Sequence, residues 1–159
     1  MILEPQTRIS EQALKVWRLS GTIQSVFVSL AGVALIILSL IFSWPIWIIG
    51  AAVIVMLSYS YLNIYLFPSL RWKRWRYEVR EQEIELRQGI FIIKRTLVPM
   101  IRVQHVDTRQ GPLLRKYGLA TVAISTAATV HEIPAVDVGE AEELRFFISK
   151  LARVADEDV

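Results

Sequence analysis

From Leu19 to Leu70 the chain carries no Asp, Glu, Lys or Arg, an uncharged block of 52 of its 159 residues. A hydrocarbon layer of ~30 Å takes ~20 helical residues per crossing, so the block fits two crossings and is far too long for one. Burying two such helices on all sides within a soluble fold would take much more chain than remains. The sequence is 53% hydrophobic and only 21% charged. Because every charge lies outside the block, the remainder from Arg71 onward is polar enough to fold in water as one small domain.

Two spans are expected, at 22–43 and 46–67. The first holds thirteen Leu, Ile, Val or Phe residues, supplying on the order of −4 to −8 kcal/mol toward insertion. Ser43, Trp44 and Pro45 leave room for only a tight antiparallel connection, with Pro45 suited to the first turn of the second helix and Ser43 to its cap. Lys15 and Arg18 precede the first span, and Arg71, Lys73, Arg74 and Arg76 follow the second. The positive-inside rule therefore predicts a multi-pass protein with both termini in the cytoplasm. Residues 1–20 read as a cytoplasmic segment with an interfacial helix, followed by a hairpin over 21–70. The apolar run starts too late and extends too far for a cleavable signal peptide. Without cysteine there are no disulfides and no thiolate chemistry.

Tryptophan and tyrosine favour the headgroup level, where the ring is apolar and its polar edge stays wet. Trp44 and Trp47 are expected at the outer turn, and Trp17, Tyr61, Tyr65, Trp72 and Trp75 at the inner ends. Ser25, Ser29 and Gly32, with Gly50, Ala51 and Ala52, offer a small-residue seam for packing the hairpin on itself or for forming a homo-oligomer. Asn63 reads either as a hydrogen-bonding group toward a partner helix or as a residue at the cytoplasmic interface. No Asp, Glu, Lys, Arg or His lies inside the spans, which leaves a proton relay or coupled ion pathway without its usual ionisable residues.

Beyond the basic cluster the apolar period becomes two. Trp75–Val79 and Ile84–Leu86 read as a hairpin, Ile90–Val98 as a strand ended by Pro99, and Ile101–Thr108 as another. Pro112 and Gly118 bracket about one helical turn. Leu119–Ser125 and Val130–Ile133 are two further strands, the second ended by Pro134. A C-terminal helix starts at a capping-box pair, Asp137 and Glu140, and buries Leu144, Phe147, Ile148 and Leu151. The domain is assigned to 71–155, followed by an acidic tail at 156–159. The expected fold is a membrane α-helical hairpin plus an α+β cytoplasmic domain, with PH-like antiparallel sheets and one C-terminal helix.

The run Val98-Pro99-Met100-Ile101-Arg102-Val103-Gln104-His105-Val106-Asp107-Thr108, together with Gln110–Leu114, Thr126-Ala127-Ala128 and Ile133-Pro134, resembles the bacterial pleckstrin-homology-like membrane proteins of the YdbS type. The two spans and the Trp17-Arg18 pair match as well. Ala128 stands where many relatives carry glycine. The resemblance implies a domain anchored in the cytoplasmic membrane of a bacterium and a larger multi-spanning relative as partner. It implies no enzymatic activity and no cofactor, and it suggests a role in envelope stress or tolerance of membrane-active peptides.

A metal site of His105, Asp107 and His131 can be drawn, as can a Ser125, His131, Asp107 triad, but neither has a supporting motif. The seven glycines include no P-loop pattern. The usable chemistry is physical rather than catalytic. Arg71, Trp72, Lys73, Arg74, Trp75, Arg76, Trp17, Arg18, Trp44 and Trp47 are membrane-interface and lipid candidates, and Arg102, Gln104, His105, Asp107 and Arg109 are interaction candidates. The basic cluster needs no nucleic acid to explain it, since its aromatics fall where a bilayer accounts for them. The leading expectation is a non-enzymatic adaptor at the inner leaflet. The alternatives are an anionic-lipid-sensing module and a metal-dependent or hydrolytic enzyme.

Overall fold

The computed structural model describes residues 5–157 and divides the chain into two compact units. One is Lys15–Leu70; the other joins the chain up to Leu14 with the chain from Arg71 onward.

In the first unit, helix α1 spans Gln12–Ile41, beginning ten residues before the expected span. Its 30 residues reach about 45 Å, longer than a hydrocarbon layer requires. Helix α2 spans Trp47–Tyr61 and runs through a π-helical turn, Leu62–Leu66, into helix α3, Phe67–Arg74. Pro68 is the cause of that turn. It has no N–H, and its ring would clash with the preceding carbonyls of a regular α-helix. The Phe67 amide bonds the Leu62 carbonyl, five residues back, widening the helix by one residue before the proline.

Ser43 does not cap the second helix; it stops the first. It takes a left-handed φ of 52°. The Ser43 amide bonds the Leu40 carbonyl at 3.4 Å and the Trp44 amide bonds the Ser39 carbonyl at 2.9 Å, the paired bonds of a Schellman stop. Ile46 occupies the cap position of α2 without a side-chain bond. Gly32 lies against Met56 and Gly21 against the Asn63 backbone, each so closely that a Cβ would collide. Ser25, Gly32 and Ser39 recur at sevens, the spacing of a left-handed helix pair; Ser25 and Ser39 are buried. Gly50 has nothing near it, so it is not part of this seam. Asn63 donates its amide to the Tyr59 carbonyl of its own helix at 3.1 Å. Elsewhere the hairpin stays apolar and uncovered: in the most apolar stretch of each long helix only 11% and 6% of residues are buried. A core helix of a soluble protein would be mostly covered.

In the second unit, four antiparallel strands form the first sheet in the order β1 (Thr7–Arg8), β2 (Arg76–Val79), β3 (Glu83–Gln88) and β4 (Lys94–Pro99). A 3-10 turn at Met100–Arg102 leads into the second sheet, β5 (Val103–Arg109), β6 (Leu119–Thr126) and β7 (Val130–Asp137). The short helix α4, Pro112–Lys116, starts on its proline and is followed by Gly118 at φ 65°, as the sequence predicts. Helix α5, Val138–Glu157, packs on the second sheet and the 3-10 turn. The core gathers Ile84, Leu86, Met100, Val122, Ile133 and Ile148.

Four expectations are corrected. The N-terminal segment is not wholly helical, because Thr7–Arg8 pairs with Tyr77 and Arg76 as a sheet strand. Ile90–Ile93 is a loop, and β4 begins only at Lys94. Pro134 lies inside β7, where an edge strand and a register shift opposite Ala120 and Val122 excuse its missing N–H. Glu140 accepts a 2.6 Å hydrogen bond from the Tyr77 hydroxyl rather than completing a capping box. On α5, Ile148 is fully buried while Phe147 is 44% exposed. Of the acidic tail, residues 158–159 lie outside the described residues.

Candidate functional site

Arg71, Trp72, Lys73 and Arg74 occupy the last turns of α3. Basic residues there oppose the negative end of the helix dipole, and long side chains can lie along apolar surface with their charge in water. Trp72 is tied to the N-terminal segment. Its indole N–H donates to the Ser10 carbonyl at 3.1 Å, and the Arg8 guanidinium sits 5.8 Å from its ring centroid. Trp75, expected at the interface, is instead a core residue, 2% exposed and packed on Tyr77 with ring centroids 6.4 Å apart. It is the joint between α3 and β2, and a strand start with apolar neighbours draws the ring inward. Arg18 lies 5.7 Å from the Tyr65 ring and 3.5 Å from the Ser69 hydroxyl. Trp17 lies on α1, Trp47 begins α2 and is exposed, and Trp44 forms part of the turn beside Phe42.

The register of the first sheet reveals an arrangement that reading along the chain missed. Arg8 stands opposite Arg76, Arg76 opposite Arg87, and Arg87 opposite Arg95. Directly opposed residues share a face, so four arginines form one row across all four strands, about 14 Å long. Tyr77, Leu86 and Thr96 lie on the other face, toward the core. One pleat further along the arginine face, Glu78 stands opposite Glu85. Arg80 bonds Glu78 and Glu83 at 3.1 Å each and Glu85 at 3.4 Å. Its own pKa is raised, first by the hydrogen bond to Glu78. Arg95 lies 3.9 Å from Glu85.

The interaction candidates lie along β5 and the turn before it. The register between β5 and β6 slips between Val103 and His105, leaving Gln104 as a bulge, which re-aims its side chain outward. Gln104, Arg102, Leu97, Ile101 and His131 line an open groove of ≈ 470 Å³ where β4 passes into β5. His105 and Asp107 share a face, with Nε2 and Oδ2 3.6 Å apart. Arg109 is 3.7 Å from Glu132 on β7.

His105 stands opposite Ser125 and His131 opposite Ile124. Neighbouring positions on β6 face opposite ways, so the strands do not bring the two histidines together, either with Asp107 or as a triad with Ser125. No group of three metal-ligating side chains occurs among the described residues.

The bacterial PH domain model matches residues 18–152. The chain belongs to the bacterial PH domain family. It is 54% identical over 156 residues to the transmembrane protein YdbS of Bacillus subtilis (strain 168), covering 98% of both chains. It is 26% identical over 85 residues to the transmembrane protein YdbT of the same organism, covering 51% of this chain and 17% of that one. No solved structure matches the chain. The fold agrees with the family: two apolar helices, antiparallel PH-like sheets and a closing helix, in a transmembrane protein with nothing that points to an enzyme.

Proposed function

We propose that this bacterial PH domain protein is a non-catalytic adaptor at the inner leaflet of the cytoplasmic membrane. Both termini lie in the cytoplasm, and the domain engages a larger transmembrane relative of the same class. Support for the topology comes from the pairing of β1 with β2. The strand before the first apolar helix and the strand after the second belong to one sheet, which supports an even number of crossings between them.

The observation that carries the adaptor reading is the groove where the two sheets part. Leu97 and Ile101 are 54% and 51% exposed beside it. Among the described residues β4 and β5 each border their sheet without a further strand. Exposed apolar side chains next to a strand edge suit addition of a partner segment by backbone hydrogen bonding. The match to a much longer transmembrane protein over 17% of its length supports a partner built from similar units.

The test is co-purification of the full chain from its own membranes in native nanodiscs. Recovery of a longer bacterial PH domain protein, reduced about tenfold or more by Leu97→Glu with Ile101→Glu, is expected. Recovery of monomer alone would end the adaptor reading.

A further inference from the structure

An open sheet edge is a template for another chain, and native folds blunt it with short strands, lysine, proline or bulges. Among the described residues β1, β4, β5 and β7 border the two sheets, and three of these edges are blunted. β1 is two residues long, and β4 carries Lys94 and ends on Pro99. β7 holds Pro134, next to Ala135 at φ 52°, where its register shifts. β5 is different. It has neither lysine nor proline, and beyond the bulge at Gln104 residues 105–109 stay in unbroken register with β6.

Beside that edge an open groove of ≈ 490 Å³ lies between β5 and α5, walled by Val103, His105, Val106, Ser149, Ala152 and Arg153. The small side chains of Ser149 and Ala152 leave room there for a backbone. No acidic residue lines the groove. His105 already faces Asp107 at 3.6 Å, so Arg153 supplies the groove's charge. Ile101 and Gln104 line both this groove and the apolar one beside Leu97. A segment laid along β5 therefore meets apolar surface at one end and a guanidinium further on. A small anion would use Arg153 and leave the strand edge open. An extended peptide with a carboxylate uses both.

We propose that the groove between β5 and α5 takes an extended segment of the partner as an added strand. The segment's main chain bonds the outer edge of β5, an apolar side chain lies against Leu97 and Ile101, and an aspartate or glutamate pairs with Arg153. The proposal rests on the adaptor reading above and fixes which edge, and which side-chain chemistry, that adaptor uses.

Hydrogen exchange read by mass spectrometry compares the full-length chain alone with the same chain bound to the longer bacterial PH domain protein, both in native nanodiscs. The amides of Val103–Arg109 should slow about tenfold or more in the complex, while those of β4 and β7 stay as they were. Arg153→Glu should lower recovery of the partner about fivefold or more, and Arg153→Lys should keep most of it. Lys150→Glu, on α5 but outside the groove, should leave recovery unchanged. Ala152→Trp, which fills the groove, should lower recovery without altering exchange of β6 in the free chain. Slowing confined to β4, or recovery that ignores Arg153→Glu, overturns the inference and leaves the adaptor standing. Equal losses with Arg153→Glu and Lys150→Glu overturn it too. Concentration-dependent slowing of β5 in the chain alone would make a second copy the occupant and overturns the partner segment. If no longer relative is recovered, the adaptor reading falls and this inference with it.

Discussion

The hairpin and the PH-like domain use the same aliphatic residues under opposite rules. In the domain Ile84, Ile133 and Ile148 are fully buried, whereas in the hairpin Ile54, Leu40 and Phe27 are exposed by 65% or more. The domain gains its stability by excluding water from a closed core. In lipid no such driving force acts between helices, and association depends on close packing at small residues. Side-chain volume should therefore matter almost everywhere inside the domain, and in the hairpin only along one seam.

The largest effect tests the domain side. Ile133→Ala should cost about 2–5 kcal/mol and Ile54→Ala less than about 1 kcal/mol, compared by denaturant melts of the two variants in the same detergent. A similar cost for both would erase the distinction. Next is the seam. Gly32→Leu should destabilise helix pairing by about 1–3 kcal/mol, while Gly50→Leu, with open space around it, should not. Energy transfer between labels on the two helices reads the difference.

A third test concerns the link between the first sheet and α5. Burial, and then the hydrogen bond and charge of Glu140, raise the Tyr77 pKa above its ordinary value of 10.0. The folded state thus favours the neutral phenol. The stability it supplies is complete below about pH 10 and is lost as pH rises toward the raised value. Tyr77→Phe should cost about 1 kcal/mol at neutral pH and flatten the alkaline fall in melting temperature between about pH 10 and 11.5. The smallest effect is expected at the hairpin turn. Ser43→Gly should be neutral or stabilising by up to about 1 kcal/mol, since its φ of 52° suits glycine better. A melt of the hairpin helicity by circular dichroism would show it.

Much of the architecture was legible along the chain because it depends on local pattern. An uncharged run of 52 residues declares two membrane helices, and Pro112 and Gly118 bracket a turn by their backbone limits. The candidate site was legible only in part. The basic turn of α3 was visible as a cluster, but Trp75 belongs to the core. The run Ile90–Ile93 reads as a strand by composition, yet Gly89 turns the backbone and leaves its apolar side chains exposed. A two-residue strand such as β1 has no periodicity to detect.

Sequence by itself determined the membrane pair, the kind of domain that follows it and the closing helix, since hydropathy runs, helical spacing and the special dihedrals of proline and glycine act over a few residues. Only the tertiary structure decided that β1 completes the first sheet and that Arg8, Arg76, Arg87 and Arg95 share a face. Cross-strand register joins positions up to 87 residues apart, and no local pattern encodes it. It emerges when each strand turns its apolar side toward the common core.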